Sequence, residues 1–311
     1  MRGVAKCDDW GRAPQVVKFT CNVCGASCAP ERFATEPPSC ECGSNVRIRG
    51  LIHLLSLELF GRGIALIDFP RLKAIRGLGI SDEPGYSHIL EDKFEYTNTY
   101  YHREPRLDVT QANNDSYGGY DFILCADVLE HIAPPIGRAL GEMFRLLKPR
   151  GFLGLTIFCN PQDRMKEHFP ELNDYRIVRL GDVAVLVNRR VDGTVEVRED
   201  LVFHGGHGST LEMRDFGATA LRSELSRAGF KDFEFLSEDV AERGILFDHD
   251  VSQPLIARKE PFFLPRSAVS ELVGDWLQLR AKCEIDNEQM RAASGSKWVR
   301  LGRRLGLGPK F

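Results

Sequence analysis

The sequence lacks any apolar run long enough to cross a bilayer. Its longest such stretch, Leu51 to Phe60, is interrupted by His53, Ser56 and Glu58, far short of the roughly twenty residues a span requires. It also lacks an excess of either charge: 41 Lys and Arg stand against 44 Asp and Glu, a formal net charge of −3. That balance argues against a chain that coats nucleic acid by bulk charge. The opening segment, Met1 to Trp10, carries Arg2, Lys6, Asp8 and Asp9 but no apolar core of the kind a secretory signal needs. A cytoplasmic address is the expectation. With 43% hydrophobic and 27% charged residues among 311, the composition excludes collagen-like, mostly disordered and small disulfide-stapled classes. The length suits one large α/β domain with an appendage, or two ordinary domains.

Cysteine is what the sequence does concentrate. There are nine, an odd number for a disulfide framework, and five fall in one window: Cys21, Cys24, Cys28, Cys40 and Cys42. Cys21-Asn-Val-Cys24-Gly has the form of a zinc knuckle, in which a glycine lets backbone amides turn toward sulfur. Cys40-Glu-Cys42-Gly43 is its partner, with one residue fewer between the thiols than usual. The spacing points to a structural zinc held by Cys21, Cys24, Cys40 and Cys42, with Cys28 able to replace either member of the second pair; redox-labile or unrelated thiols are the other reading. Four protein ligands would leave zinc no catalytic position. Directly afterwards, Leu51, Leu54, Leu55 and Leu59 recur at near-helical spacing in Val46 to Gly61. This helix is expected to dock the ribbon, with Arg47 and Arg49 solvated at its entrance.

From Gly63 onward short apolar runs alternate with helical patterns, as in an open, mostly parallel sheet covered on both faces. Tyr120 to Cys125 reads as a buried strand, Ile136 to Leu147 as an amphipathic helix and Phe152 to Phe158 as the next strand, with Lys148-Pro-Arg-Gly151 as the turn. Between the first strand and its helix lies Ala126-Asp-Val-Leu-Glu-His131. That is the carboxyl end of a strand, where open α/β sheets place their ligands.

YDFILCADVLEHI followed by LGEMFRLLKPRGFLGLTIF resembles the fourth-strand to fifth-strand block of class I S-adenosylmethionine-dependent methyltransferases. The likeness continues through Gly217 to Phe230 as the last helix, Lys231 to Ser237 as the sixth strand and Pro254 to Lys259 as an antiparallel seventh, and covers about Gly63 to Lys259. It implies a Rossmann-like, seven-stranded sheet with S-adenosylmethionine as cofactor. The counterpart of the family's glycine-rich loop is Ile75-Arg-Gly77-Leu-Gly79-Ile-Ser81-Asp82, where Gly77 and Gly79 would let the backbone approach the methionine moiety. After the second strand, Phe94 to Thr97, Asn98 and Thr99 stand where the family has an acidic ribose ligand. Asp108, in Leu107-Asp-Val-Thr110, matches the acidic segment beside the adenine, and Ala126 and Asp127 border the same cofactor.

Methyl transfer to a hydroxyl needs aligned reactants and a base. Glu130 and His131 lie at the position that the resemblance assigns to the acceptor side, and an imidazole titrates near neutrality, which makes His131 the first candidate base; the alternative is that the two residues only cap the helix that follows. His204, in Phe203-His-Gly-Gly-His207-Gly, is the second. Asp200 lies close enough in sequence to raise a divalent metal with the two histidines as a further option. The insertion from Pro161 contains Val183 to Val187 and Thr194 to Val197 joined across Asp192-Gly193, a hairpin signal, expected as a flap beside the site.

Beyond Pro265, Val269, Leu272, Trp276, Leu279, Cys283 and Met290 follow coiled-coil-like steps, consistent with a homodimer or with docking on the parent domain. The tail from Ser296 places Trp298, Leu301 and Leu305 among cations, a composition suited to an anionic membrane surface. Its W-x-R-L-G-R-x-L-G-L-G-P pattern resembles tails of bacterial glycosyltransferases and methyltransferases that act on surface polysaccharide.

The expected organisation is a zinc-ribbon-like segment at 1–45, a class I methyltransferase domain at 46–260 with an acceptor-side insertion at 161–212, and a helical, basic tail at 261–311. The expected activity is O-methylation of a sugar or glycan intermediate at the cytoplasmic face of a membrane, with His131 or His204 as base. The alternatives are methylation of RNA or another small molecule, which the missing basic and aromatic stripe disfavours, and an inactive scaffold.

Overall fold

The computed structural model describes residues 18–28, 40–112, 117–160, 163–181, 183–204, 210–247, 253–260 and 266–295. Two short strands, β1 (Phe19–Thr20) and β2 (Ser27–Cys28), pair antiparallel on either side of the first cysteine pair. The helix expected after the cysteines is α1 (Val46–Phe60), whose Leu51, Ile52, Leu54 and Leu55 are buried. The α/β alternation then runs β3 (Leu72–Ile80), α2 (Pro84–Lys93), β4 (Phe94–Thr99), β5 (Tyr120–Ala126), α3 (Ile136–Leu146) and β6 (Leu147–Ile157). An insertion follows, with β7 (Lys166–Glu167), β8 (Asp174–Leu180), β9 (Val183–Arg189), β10 (Val195–Arg198), β11 (Phe203–His204), β12 (Thr210–Leu211) and β13 (Arg214–Asp215). The domain closes with α4 (Ala218–Ala228), β14 (Asp232–Phe235) and β15 (Gln253–Arg258).

The main sheet has the order β14-β15-β6-β5-β3-β4. Its four strands β4, β3, β5 and β6 are parallel, while β15 runs antiparallel to β6 and β14 antiparallel to β15. Central parallel strands are covered on both faces and need a continuous apolar run, which Phe122 to Cys125 supplies with every residue fully buried. On α3 the apolar residues Ile136, Ala139, Leu140, Met143 and Leu146 follow three- and four-residue steps. They pack with Leu221 and Leu225 of α4 against Leu78, Ile123 and Leu153 of the sheet. Gly229, with φ 112°, ends α4 in the left-handed conformation.

Two expectations need correction. Among the described residues the main sheet has six strands, not seven. Between β4 and β5 the described chain forms bends and an isolated bridge from Tyr100 to Arg106; His102-Arg-Glu-Pro105 offers no alternating apolar face to bury. The turn expected at Lys148 to Gly151 is instead the first part of β6. β15 pairs with that strand only from Phe152 onward, and the register with β5 is irregular there, so Pro149 sits where a missing N–H is tolerated. The hairpin across Asp192-Gly193 is present as β9–β10, extended by β8 into a three-stranded sheet.

A second unit comprises Leu57–Arg62 with Phe263–Phe311, and its described part beyond residue 62 is the long helix α5 (Arg266–Gly295). Leu272, Leu279 and Met290 of the expected stripe are exposed on it. Within this unit Arg62 Nη1 donates to the Ser270 carbonyl at 3.5 Å. No described helix is long and apolar enough to cross a membrane. His207 and the basic tail from residue 296 lie outside the described residues.

Candidate active site

The four cysteines singled out by spacing converge. Ligand atoms of Cys21, Cys24, Cys40 and Cys42 all lie within 4.8 Å of one another, with Cys21 Sγ 3.8 Å from Cys42 Sγ and Cys24 Sγ 3.5 Å from Cys40 Sγ. The Val23 N–H points at Cys21 Sγ at 3.4 Å, the backbone-to-sulfur contact that a knuckle provides. Cys28 stands outside the quartet, with its thiol on the Ala26 carbonyl at 3.7 Å. Burial pushes the Cys24, Cys40 and Cys42 thiols up; in Cys21 the same push is outweighed by hydrogen bonds from Ser44 and the backbone, which bring it down to about 7. Four cysteine sulfurs gathered in so small a volume are a donor set that fits zinc.

Arg47 and Arg49 are not solvated. Arg49 is fully buried and donates to the Ser44 carbonyl at 2.9 Å and to the Gly244 carbonyl at 2.7 and 3.2 Å. Its guanidinium also lies 4.7 Å from the Phe19 ring centre. Asn22 Nδ2 donates to the Arg49 carbonyl at 2.8 Å. The ribbon is thereby fastened to α1 and to the segment before β15 through one cation. Arg47 pairs with Asp127 at 2.8 Å.

Gly77 and Gly79 lie inside β3, not in the loop the resemblance assigned to them. A Cβ on Gly77 would stand 2.3 Å from the Phe122 ring, and one on Gly79 would meet Tyr96 Oη, Asp82 and Asn98. Both glycines therefore make room for neighbouring side chains. The turn after the strand is Ser81, with φ 59°, followed by the buried Asp82. Asp82 accepts from Tyr86 Oη at 2.6 Å and from Tyr96 Oη, and its own N–H donates to Asn98 Oδ1 at 2.9 Å. Asn98 Nδ2 donates to the Asp82 carbonyl at 2.8 Å and to Tyr100 Oη at 2.9 Å. The amide of Asn98 is thus spent on bracing this turn. Burial pushes the Asp82 carboxyl up to about 7, against the two tyrosine hydroxyls that pull it down. Gly85 opens α2 against the ribbon: a Cβ there would stand 2.3 Å from the Cys42 carbonyl oxygen.

Asp108 Oδ1 accepts from the Thr110 N–H at 2.9 Å and from Thr110 Oγ1 at 2.7 Å, a local turn at the edge between β4 and β5. Ala126 ends β5 opposite Thr156. Asp127 follows with φ 53°, and besides Arg47 it accepts from Thr156 Oγ1 at 2.9 Å.

Glu130, His131 and His204 come together, although 73 residues separate the two histidines in number (204 less 131). A ligand atom from each lies within 4.8 Å of the others, and the two imidazoles meet edge to face at 5.0 Å. The insertion brings His204 in. β7 pairs with β13, the Met213 N–H donates to the Glu130 carbonyl at 2.7 Å, and the buried Arg214 donates to the Leu129 carbonyl at 2.6 Å. His131 Nδ1 stands 3.0 Å from the Leu211 carbonyl oxygen; a carbonyl only accepts, so Nδ1 carries the proton and Nε2 keeps its lone pair. Burial, with His204 beside it, lowers the His131 pKa, against the hydrogen bond to Leu211. Burial, reinforced by Asp127, pushes the Glu130 carboxyl up to about 8.

Glu212, His168 and Asp215 complete the cluster and were not singled out by sequence reasoning. Glu212 Oε2 lies 2.7 Å from His204 Nε2, and its Oε1 lies 3.0 Å from His168 Nε2, which is 3.6 Å from Asp215. The available signal was the run Glu212-Met-Arg-Asp215, three charged residues interleaved with apolar Met213 and followed by apolar Phe216.

The geometry is that of a parallel sheet with its polar side chains gathered at the carboxyl ends of β3, β5 and β6. Residues 81–234 match a family model described as a methyltransferase domain. The matched segment runs from the turn after β3 into β14, and it contains the Asp82 network and the histidine cluster. A comparison with curated proteins returned no match. Among solved structures the chain is similar to the 1,6-didemethyltoxoflavin N1-methyltransferase of Burkholderia thailandensis, with 16% identity over 68% of this chain and 79% of that one and a TM-score of 0.37. An S-adenosylmethionine-dependent methyltransferase from Clostridium acetobutylicum shares 11% identity over 68% and 90%, with a TM-score of 0.39. An amino pentose methyltransferase from Micromonospora echinaspora, solved with S-adenosylmethionine bound, shares 15% over 68% and 94%, with a TM-score of 0.37. At these distances their substrates say nothing about this chain.

Proposed function

We propose that the chain is an S-adenosylmethionine-dependent methyltransferase whose acceptor is a hydroxyl of a sugar or glycan intermediate. The observation that carries this reading is the pairing of His131 and His204 at the carboxyl end of β5, inside the segment that matches the methyltransferase domain. The cofactor supplies an electrophilic methyl group on a sulfonium centre. Among this chain's residues, the turn at Ser81 and Asp82, the carboxylate of Asp108 and the backbone at Ala126 and Asp127 border the cofactor edge. Gly79 and Asn98 pack against that turn, and Gly77 makes room for Phe122 and Tyr96 in the strand that leads to it. The acceptor hydroxyl must lose its proton as the carbon–oxygen bond forms and the carbon–sulfur bond breaks. His131 and His204 serve that deprotonation, with Leu211 and Glu212 fixing their rings.

The cysteine quartet is proposed to hold a structural zinc, and the basic, tryptophan-containing tail to bring the enzyme to an anionic membrane at its cytoplasmic face. The glycan acceptor rests on the likeness of that tail to those of surface-polysaccharide enzymes.

One observation favours a second reading, a scaffold without cofactor. The space at Gly79 is filled by Tyr96, Asp82 and Asn98, and a bound ribose would have to compete with that network. Calorimetric titration of the zinc-replete protein with S-adenosylhomocysteine separates the two. Binding in the micromolar range supports the methyltransferase and opens acceptor screening among nucleotide sugars and glycans; no heat of binding supports the scaffold.

A further inference from the structure

We infer that Glu130, His131 and His204 form a second metal site, for a divalent transition ion of the zinc class, held apart from the cysteine quartet. Two imidazole nitrogens and one carboxylate oxygen within 4.8 Å of one another are the donor set such ions take. A tetrahedral ion with bonds of about 2.1 Å spaces its ligands about 3.4 Å apart, so modest side-chain rotations close the set around a cation.

Three further observations point the same way. Glu130 is 8% exposed, and its Oε2 is buried without a hydrogen-bond partner. A buried carboxyl oxygen left so is costly, and a cation that takes the place of the carboxyl proton between it and the two rings removes that cost. Each imidazole also has one nitrogen engaged from outside, His131 Nδ1 by the Leu211 carbonyl and His204 Nε2 by Glu212 at 2.7 Å. Carbonyl and carboxylate partners of this kind orient histidine ligands and fix their tautomers. Finally, the two halves of the site are locked together independently of any ion, through Met213 N–H to the Glu130 carbonyl and Arg214 to the Leu129 carbonyl and Glu167. Such a frame holds ligands ready for a metal.

The site goes beyond methyl transfer and stands without it, since it is read from metal content alone. If the proposed reaction holds, the cation lies where the acceptor hydroxyl must be deprotonated, and the two histidines act through it.

The test uses the full-length protein, stripped with chelator, reloaded with zinc and desalted, and in parallel reloaded with cobalt(II). Wild type is expected to retain one zinc beyond the quartet. Cobalt at the quartet gives an intense thiolate charge-transfer band, whereas cobalt at the nitrogen and oxygen site adds only weak visible bands. His204→Ala should lose the additional equivalent and Glu212→Gln should weaken it about 10- to 100-fold, each leaving the thiolate band intact, which also reports a folded protein. A wild type that holds a single, thiolate-bound equivalent overturns the inference. So does an additional equivalent that survives both His204→Ala and Glu130→Gln. Titration of the same preparations with S-adenosylhomocysteine shows separately whether the methyltransferase reading has failed.

Discussion

Arg47, at the start of α1, and Asp127, just past the end of β5, form a 2.8 Å ion pair that ties the helix behind the cysteine ribbon to the carboxyl edge of the sheet. Both side chains are about four-fifths buried, with relative exposures of 19% and 24%. A pair so placed is screened less than a surface bridge. A double-mutant cycle of Arg47→Met and Asp127→Asn should give a coupling energy of about 1–2 kcal/mol in urea unfolding. A value near zero would show that the pair contributes nothing to stability.

Asp82 predicts an unusual pH response. Its carboxyl is pushed from 3.8 up to about 7 by burial, with Glu83 adding to the push and the Tyr86 and Tyr96 hydroxyls opposing it. Between those values the native protein keeps a proton that the unfolded chain has released, so this group lowers stability as pH rises from about 4 to about 7. Its cost is absent below the lower value and complete above the upper one. Asp82→Asn should therefore gain stability over wild type progressively across that window, reaching the order of a few kcal/mol, and hold a constant lead beyond it. Urea midpoints of the two proteins that run parallel from mildly acidic to mildly alkaline pH would refute the assignment.

Gly77→Ala tests the close approach of β3 to its neighbours. The added methyl would stand 2.3 Å from Phe122 and 2.6 Å from Tyr96, both rings being held in the sheet's aromatic stack. Overpacking of this kind costs about 1–3 kcal/mol. Thermal melts should show the loss directly.

His131→Ala is expected to lower turnover by about 10²–10⁴-fold while leaving S-adenosylhomocysteine affinity in calorimetry unchanged. Equal losses in both would mean that the ring supports the cofactor side of the site.

The ribbon should melt with the domain. Because Arg49 joins Ser44 to Gly244, Cys24→Ser or chelation is expected to lower one cooperative transition. A separate early transition, with the main one unmoved, would contradict this.

Much of this was legible in the sequence. The helices at Ile136 and Ala218, the strand at Tyr120, the antiparallel return at Gln253 and the hairpin at Gly193 all carry local signals, namely periodicity, a buried apolar run or a left-handed glycine. The cysteine quartet followed from spacing alone. What was not legible depends on contacts distant in sequence. Arg49 reads as a surface residue until Gly244 arrives to accept its hydrogen bonds. Gly77 and Gly79 look like a loop because the rings that need their space, Tyr96 and Phe122, lie on other strands. Glu212 gains its place in the site only when the insertion folds back to set it between His168 and His204.

The bond from Arg49 to Gly244 spans 195 residues, and this bears on how the chain is made. Arg49 leaves the ribosome well before the Gly244 carbonyl that accepts two of its hydrogen bonds, which emerges roughly ten to forty seconds later at ordinary rates of synthesis. Until then Arg49 must stay in water and the cysteines stay accessible. The cysteine segment therefore closes on its late partner only after the whole of the main sheet up to β14 has been made.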